Sequence, residues 1–275
     1  VTIFAVACLY PFIYVLMMSV TPYQEYLSNP MRLFPTRLDF SAYKTLLGFP
    51  LIYSGYRVTI FITLVGTAIN IVLMCLTAYP LSKKDLKGRG FILGLIVFTM
   101  FFNGGMIPNF YLIRTLKLYN TIWALIIPGV LSAYNLILMK NFISQIPDSL
   151  EESAVIYGAN EFVILWKIIV PLSKPAIATF IIFYAVGQWN TLFSAILYTS
   201  KRELWPLMLI LREMVVEDSM MMAFSGNSAA MDQEMTTIFT MKMAVIIITV
   251  LPILCIYPFM QKHFTKGIMM GSVKG

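Results

Sequence analysis

One stretch of this chain, Asn141–Ser173, gathers polar residues between two long uncharged runs. It carries Glu152-Ser153-Ala154, then Gly158, then Ile168, Val170 and Pro171. The chemistry on offer is that of contact. Ala154 is small enough for close approach, Gly158 can set a turn, and Glu152 is placed to meet a basic group. Bond-making chemistry is poorly served, because no Asp, Glu or His lies within the long apolar runs to do acid–base work. His263 is the one histidine and cannot form a metal site alone. Cys8, Cys75 and Cys255 sit in apolar runs without pairing or metal spacing, as small buried hydrophobes do. No GxxxxGK(S/T) phosphate loop occurs. The expectation is a chain with no metal and no cofactor of its own.

Local signals say how this stretch is built. Pro147-Asp148-Ser149 reads as a helix start. Both Asp148…Glu151 and Ser149…Glu152 have the spacing at which a short side chain and an acidic one satisfy free backbone donors. A helix then runs to Tyr157, and Gly158 suits the left-handed residue that ends helices. Asn160 can start a second short helix, Glu161–Ile169, which Pro171 breaks. Lys174-Pro175 opens the next apolar run with proline at a tolerated first-turn position. The expectation is helix, sharp turn, helix: a rigid handle at a membrane surface.

The elements around the handle follow from composition. The chain has 275 residues, 59% hydrophobic and 12% charged, with mean hydropathy +0.80. A soluble domain is about 25% charged, so this is the composition of an integral membrane protein. Six windows hold no Asp, Glu, Lys or Arg: Val1–Gln24, Val58–Ser82, Gly90–Ile113, Leu118–Met139, Pro175–Ser200 and Met243–Gln261. Each is at least 19 residues long, and about 20 apolar residues cross a bilayer. They predict one all-α membrane domain with six transmembrane helices, at about 1–20, 58–81, 91–113, 119–139, 175–199 and 241–260. The alternation of a membrane barrel is absent. Val1 stands where a start methionine would, so residues are expected to precede it, and the first run is read as a permanent anchor. The net charge of +7 suits anionic lipid headgroups rather than nucleic acid.

With six spans both termini share a side. Lys and Arg divide ten and ten between the two sides, but Lys83, Lys84, Lys87 and Arg89 crowd into seven residues, a cytoplasmic signal. The termini and the loop 147–171 are therefore expected in the cytoplasm, with loops 21–57 and 201–240 outside. The first outer loop is expected to hold a short surface helix around Ser41–Leu47. The second begins with Trp205-Pro206-Leu207 and continues through Leu207–Val216 with helical spacing. Loops this long are functional or disordered, and their apolar content predicts order and a partner-facing role.

The pattern Glu152-Ser153-Ala154, three residues, Gly158, nine residues, Ile168, one residue, Val170-Pro171 resembles the EAA loop of ATP-binding-cassette (ABC) importer permeases. Ser153 stands where the family has Ala, and Val170 where it usually has Leu. The tail Tyr257-Pro258-Phe259-Met260-Gln261-Lys262-His263-Phe264, continuing to Gly275, is similar to the C-terminus of the maltose-transporter permease class, as is Gln188-Trp189-Asn190. Gly104-Gly105-Met106-Ile107-Pro108 looks like the branch serving larger or modified oligosaccharides. The likeness covers nearly the whole chain. It implies the type I ABC importer permease fold, with a cytoplasmic coupling helix that sits in a cleft of an ATPase subunit. Glu152, Ser153, Ala154, Tyr157, Gly158 and Pro171 would be the coupling residues. The implied partners are a sister permease forming a heterodimer, two ATPase subunits that carry ATP and Mg, an extracytoplasmic substrate-binding protein and a saccharide. Membrane lipid surrounds the chain, nucleic acid is not a partner, and the place is the bacterial cytoplasmic (inner) membrane, crossed several times.

Polar residues within the runs mark a candidate path for such a solute, foremost Asn135, Gln188, Trp189, Asn190 and Ser194. Amides hydrogen-bond hydroxyls and rings cover the apolar faces of sugars. The same residue types also join membrane helices to one another, and the resemblance implies that the defined sugar site lies mostly on the sister permease. Gly187 is a candidate flex point beside the cluster. By resemblance, Trp205, Ser225, Gly226 and Asn227 contact the binding protein; the other reading is that their loop covers the bundle and packs on the sister permease. No ionisable residue lies inside a run, which argues against proton or sodium coupling. A transporter with neither that engine nor a phosphate loop must borrow one. The favoured reading is the non-catalytic permease subunit of an ATP-driven oligosaccharide importer. The alternatives are the same architecture carrying a peptide or polyol, and a stand-alone secondary carrier or channel.

Overall fold

A computed structural model of the chain describes residues 2–22, 25, 28, 34–216 and 239–255. The regular elements among them are helical. The chain forms two compact units, one built from Val1–Thr59 with Ser200–Cys255, the other on Ile60–Thr199.

In the first unit, the helix Thr2–Met18 is apolar along its length and exposes Ile3, Phe4, Leu9 and Phe12, side chains suited to a lipid environment. The short helix Ser41–Leu47 forms where its sequence predicts it. It buries Ala42 and Leu46 in a core shared with Ile52, Ile210, Met214 and Val245. Leu207–Val216 is also helical, as its spacing predicts. Polar groups tie this core together. The Ser19 and Tyr43 hydroxyls lie 2.6 Å apart, the Leu207 amide donates to the Thr59 hydroxyl at 2.8 Å, and the Tyr56 hydroxyl donates to the Ile248 carbonyl. Gly55 is buried where a Cβ would strike the Ile210 side chain. A small residue lets two helices approach closely when lipid supplies no hydrophobic drive between them.

The second unit carries the remaining apolar runs, and most of them bend. The helix Pro50–Ser82, shared in sequence by both units, is the one element among the described residues long and apolar enough to cross a membrane unbroken. Three bent pairs raise the number to four if each pair is one span, and Thr2–Met18 and Phe239–Cys255 are shorter apolar helices. The window Gly90–Ile113 is two helices, Arg89–Phe101 and Met106–Thr115, turned by 117°. Phe102 is extended, the Asn103 carboxamide accepts from the Gly105 amide at 3.0 Å, and Gly105 has φ +88°. The helix cannot continue through that left-handed residue. Likewise Trp123–Gly129 and Ala133–Ile143 meet at 55°, where Pro128-Gly129 tightens into a 3₁₀ turn and Ser132 caps the next helix. The run Pro175–Ser200 stops at Trp189 and resumes as Phe193–Tyr198. Gly187 lies inside the first of these helices, so the break falls three residues beyond the expected flex point. Charge-free windows report apolar length and are blind to such turns.

These bent elements share one core. Met74, Ala78, Leu136, Met139, Ile164, Ile169, Phe180 and Tyr184 are among its buried side chains. The Tyr184 hydroxyl accepts from the Ser132 amide at 3.4 Å, and the Asn70 amide donates to the Gly129 carbonyl at 3.4 Å. Both backbone groups are freed by the break in that span, and neighbouring helices supply them with partners, as irregular backbone at membrane depth requires.

Candidate coupling site and solute path

The handle is a helix, Asp148–Ile156, entered through Pro147 and left through Tyr157. Neither expected capping box forms: Pro147 occupies the cap position and offers no side-chain acceptor. The C-terminal prediction holds in detail. Gly158 has φ +80°, its amide donates to the Val155 carbonyl at 2.8 Å, and the Ala159 amide reaches back to the Ala154 carbonyl at 3.0 Å. These are the two bonds of the Schellman motif, which satisfies the last carbonyls and reverses the chain.

The helix has an inner and an outer side. Ala154 is half-buried and packs on the core of its own unit. Glu152 and Ser153 are exposed, and the Ser153 hydroxyl turns back to the Ser149 carbonyl at 2.8 Å. At the tip, Ile156 and Tyr157 are 84% and 92% exposed. Two large apolar side chains therefore stand bare at the end of a polar helix. A sequence reading that relied on the Glu-Ser-Ala pattern passed over Ile156.

The segment after the turn departs from expectation. The Asn160 side chain caps it, accepting from the Val163 amide at 2.9 Å. Glu161–Ile164 is α-helical, Leu165–Ile169 widens into a π turn, and Val170–Leu172 follows. Pro171 therefore does not break the helix. Its ring would collide with the Lys167 carbonyl in α geometry and it has no N–H to give; the wide turn before it relieves both demands. The break comes at Ser173, where the chain turns by 82° into Lys174–Trp189.

Four polar residues join the handle to the neighbouring helix end, and the sequence reading named none of them as a coupling residue. The Tyr79 hydroxyl donates to Glu161 at 2.6 Å, with Glu151 at 3.3 Å. Glu151 is ion-paired with Lys83, whose ammonium also lies 4.7 Å from the centre of the Tyr79 ring. A polar cavity of about 930 Å³ lies beside them, with Lys83, Arg89, Lys140, Asp148, Glu151 and Glu161 in its walls. The one available signal was adjacency: Glu151 and Glu152 are neighbours on a helix, so they must face different ways.

The candidate path residues divide. Gln188 and Trp189 are buried within the unit. Gln188 lies against Gly66, where a Cβ would come within 2.9 Å of its side-chain nitrogen. Asn190 is exposed and its amide donates to the Val186 carbonyl at 2.8 Å. Asn135 and Ser194 are half-buried. In the other unit, Trp205 is half-buried against the core and the Arg202 guanidinium stands 5.8 Å from its ring. Ser225, Gly226, Asn227 and the tail from Tyr257 lie outside the described residues.

Residues 7–270 match the family described as "Binding-protein-dependent transport system inner membrane component". Over 99% of its length the chain is 45% identical to the polygalacturonan/rhamnogalacturonan transport system permease protein YtcP of Bacillus subtilis (strain 168), covering 94% of that protein. It is 43% identical to Protein LplC of the same organism, over 96% of this chain and 89% of the relative. Among solved structures, one chain from a bacterial ABC transporter involved in the import of the acidic polysaccharide alginate matches with a TM-score of 0.86 at 35% identity. That match covers 96% of this chain and 93% of that one.

Proposed function

The chain belongs to the family of binding-protein-dependent transport system inner membrane components, and on that footing we propose that it is the permease subunit of an ATP-driven importer whose cargo is an oligosaccharide. Its fold is that of a type I ABC importer permease. The observation that carries the reading is the handle: a short helix closed by a left-handed glycine, with Ile156 and Tyr157 bare at its tip. Such an element is built to be gripped. Glu152, beside it on the exposed side, is available to a basic group of the partner.

In this reading two ATPase subunits bind ATP and Mg, close on the handle and on that of a sister permease, and rock the paired bundles from inward-open to outward-open. An extracytoplasmic binding protein delivers the solute to the gap. ATP is hydrolysed on the partner, and this chain makes and breaks no bond. The termini and the handle face the cytoplasm. Asn135, Gln188, Trp189, Asn190 and Ser194 belong to the path or its wall, and the loop from Trp205 through Ser225–Asn227 faces the binding protein. The named cargoes of the relatives, polygalacturonan/rhamnogalacturonan and alginate, support a saccharide over a peptide or polyol.

The test is uptake by the reconstituted assembly. The chain is purified with its sister permease and ATPase and placed in vesicles with the binding protein. Labelled oligosaccharides cut from polygalacturonan, rhamnogalacturonan and alginate are offered beside a peptide and a polyol. ATP-dependent entry of a saccharide is the expected result. Entry driven by an ion gradient without an ATPase, or entry of the peptide or polyol alone, rejects the assignment.

A further inference from the structure

A handle can transmit a push only if it is fixed to what must move, and apolar packing does little of that fixing here. No residue of Asp148–Ile156 is fully buried; Ala154 alone among them reaches the core cluster, and only in part. The helix is otherwise held by its chain ends and by polar contacts. The strongest of these converge on the last turns of Pro50–Ser82. Tyr79, itself 4% exposed, hydrogen-bonds Glu161 just beyond the turn, and Lys83 pairs with Glu151 on the handle itself. A phenol has one proton to give. Its shorter hydrogen bond goes to Glu161, at 2.6 Å, and Glu151 is paired with the Lys83 ammonium, while Arg89 and Lys140 line the same cavity. The Lys83 side of the contact is braced in turn, since the Arg89 Nε donates to the Leu81 carbonyl at 2.9 Å.

We infer that Tyr79, Lys83, Glu151 and Glu161 form a strut that locks the handle to the end of the helix Pro50–Ser82, so that the push of the ATPase moves that helix directly. The neighbouring acidic residues then have separate tasks: Glu151 faces inward and transmits, and Glu152 faces outward and meets the partner. These four are positioning residues, which touch neither ATP nor solute. The inference rests on the importer reading above.

The test uses the assembled transporter in vesicles and reads two quantities at once, solute imported and ATP hydrolysed. Lys83→Glu and Glu151→Lys each place like charges together. Each is expected to lower solute moved per ATP by about five-fold or more, the lower end of typical coupling between sites, while ATPase subunits still co-purify. The double variant, Lys83→Glu with Glu151→Lys, restores the pair and recovers most of the ratio. Tyr79→Phe removes one oxygen and keeps the ring, and it decides the matter if a charge variant fails to assemble; it too lowers the ratio. A structural role alone would reduce the amount of complex and leave solute per ATP unchanged. An unchanged ratio in Tyr79→Phe, or a double variant no better than the single ones, overturns the strut. A wild-type complex without ATPase subunits or ATP-dependent uptake overturns the importer reading instead.

Discussion

Around the handle, carboxylates have strong partners: Lys83 pairs with Glu151, and the Tyr79 hydroxyl donates a hydrogen bond to Glu161. In the interior of the same unit, near Gln188, the polar groups are neutral and less well served. The Asn70 carbonyl oxygen and the Thr67 hydroxyl are buried without a hydrogen-bond partner among the described residues. The Asn70 amide makes one long contact, to Gly129. The difference teaches what each region is for. On the strut reading, an ion pair and a short hydrogen bond hold geometry at the handle. Neutral groups that tolerate incomplete pairing allow helices to shift, and in membranes each such bond contributes little, about 0.6 kcal/mol on average.

The contrast breaks most visibly at Gly158. Its φ of +80° disfavours most L side chains, while the space around it is open, with no atom within 4 Å of where a Cβ would stand. The penalty for a substitution is therefore conformational, about 1–2 kcal/mol, and falls on the turn that aims the tip. Gly158→Val is expected to abolish ATP-dependent uptake in vesicles while the protein still inserts and ATP hydrolysis continues uncoupled. Gly158→Asn, which tolerates a left-handed backbone, keeps a substantial part of the uptake. Equal loss in both variants would mean that the glycine is required for its size.

The same pair of regions shows what was legible in the sequence. Turn and cap chemistry is local, so Gly158, Asn160 and the short helices Ser41–Leu47 and Leu207–Val216 could be placed from the residues themselves. The carboxylates of Glu151 and Glu161 meet the Tyr79 hydroxyl 72 and 82 positions away in the chain, and no local pattern announces that. The capping boxes failed because the helix begins earlier than either requires: Pro147 holds the cap position, so Asp148 and Ser149 lie inside the first turn. The bent spans were half legible. Gly104-Gly105 and Pro128-Gly129 are turn signals, but a count of uncharged residues passes straight over them. Pro171 was expected to break the second helix and does not, because a π turn before it absorbs the proline.

In the interior the largest effect is expected at Gly66. A methyl group there would lie 2.9 Å from the Gln188 nitrogen, and Gln188 is itself buried. Gly66→Ala is expected to destabilise the unit by about 1–3 kcal/mol, the usual cost of overpacking, read as a lower Tm of the detergent-solubilised complex. Adding Gln188→Ala opens the space and returns most of the loss. A double variant whose loss equals the sum of the two single losses would show that the two residues are not coupled, and Gln188 would then be freer to serve the solute.

A smaller effect belongs to Asn70. Its contact with Gly129 is at the long limit of a hydrogen bond. Asn70→Leu also removes an oxygen that has no partner, which offsets part of the lost bond. The expected change in stability is below about 1 kcal/mol, again read as Tm. A loss several times larger would show that the bend at Val130–Ser132 depends on this one amide, and the interior would then resemble the handle in being held by specific bonds.

The smallest effect on stability, and the sharpest on function, is expected at Asn190. The residue is exposed, follows the end of a helix, and its side-chain amide donates to the Val186 carbonyl one turn back. Its replacement by alanine should leave Tm within about 0.5 kcal/mol equivalent of the original, as for exposed positions away from the core. If Asn190 lines the path, its amide is free to exchange that local bond for a sugar hydroxyl, and Asn190→Ala should change the relative uptake rates of oligosaccharides of different composition while solute per ATP stays constant. The handle variants do the reverse, lowering solute per ATP for every cargo alike. Selectivity unchanged in Asn190→Ala removes the residue from the path and leaves the buried pair Gln188 and Trp189 as packing for the helices around them.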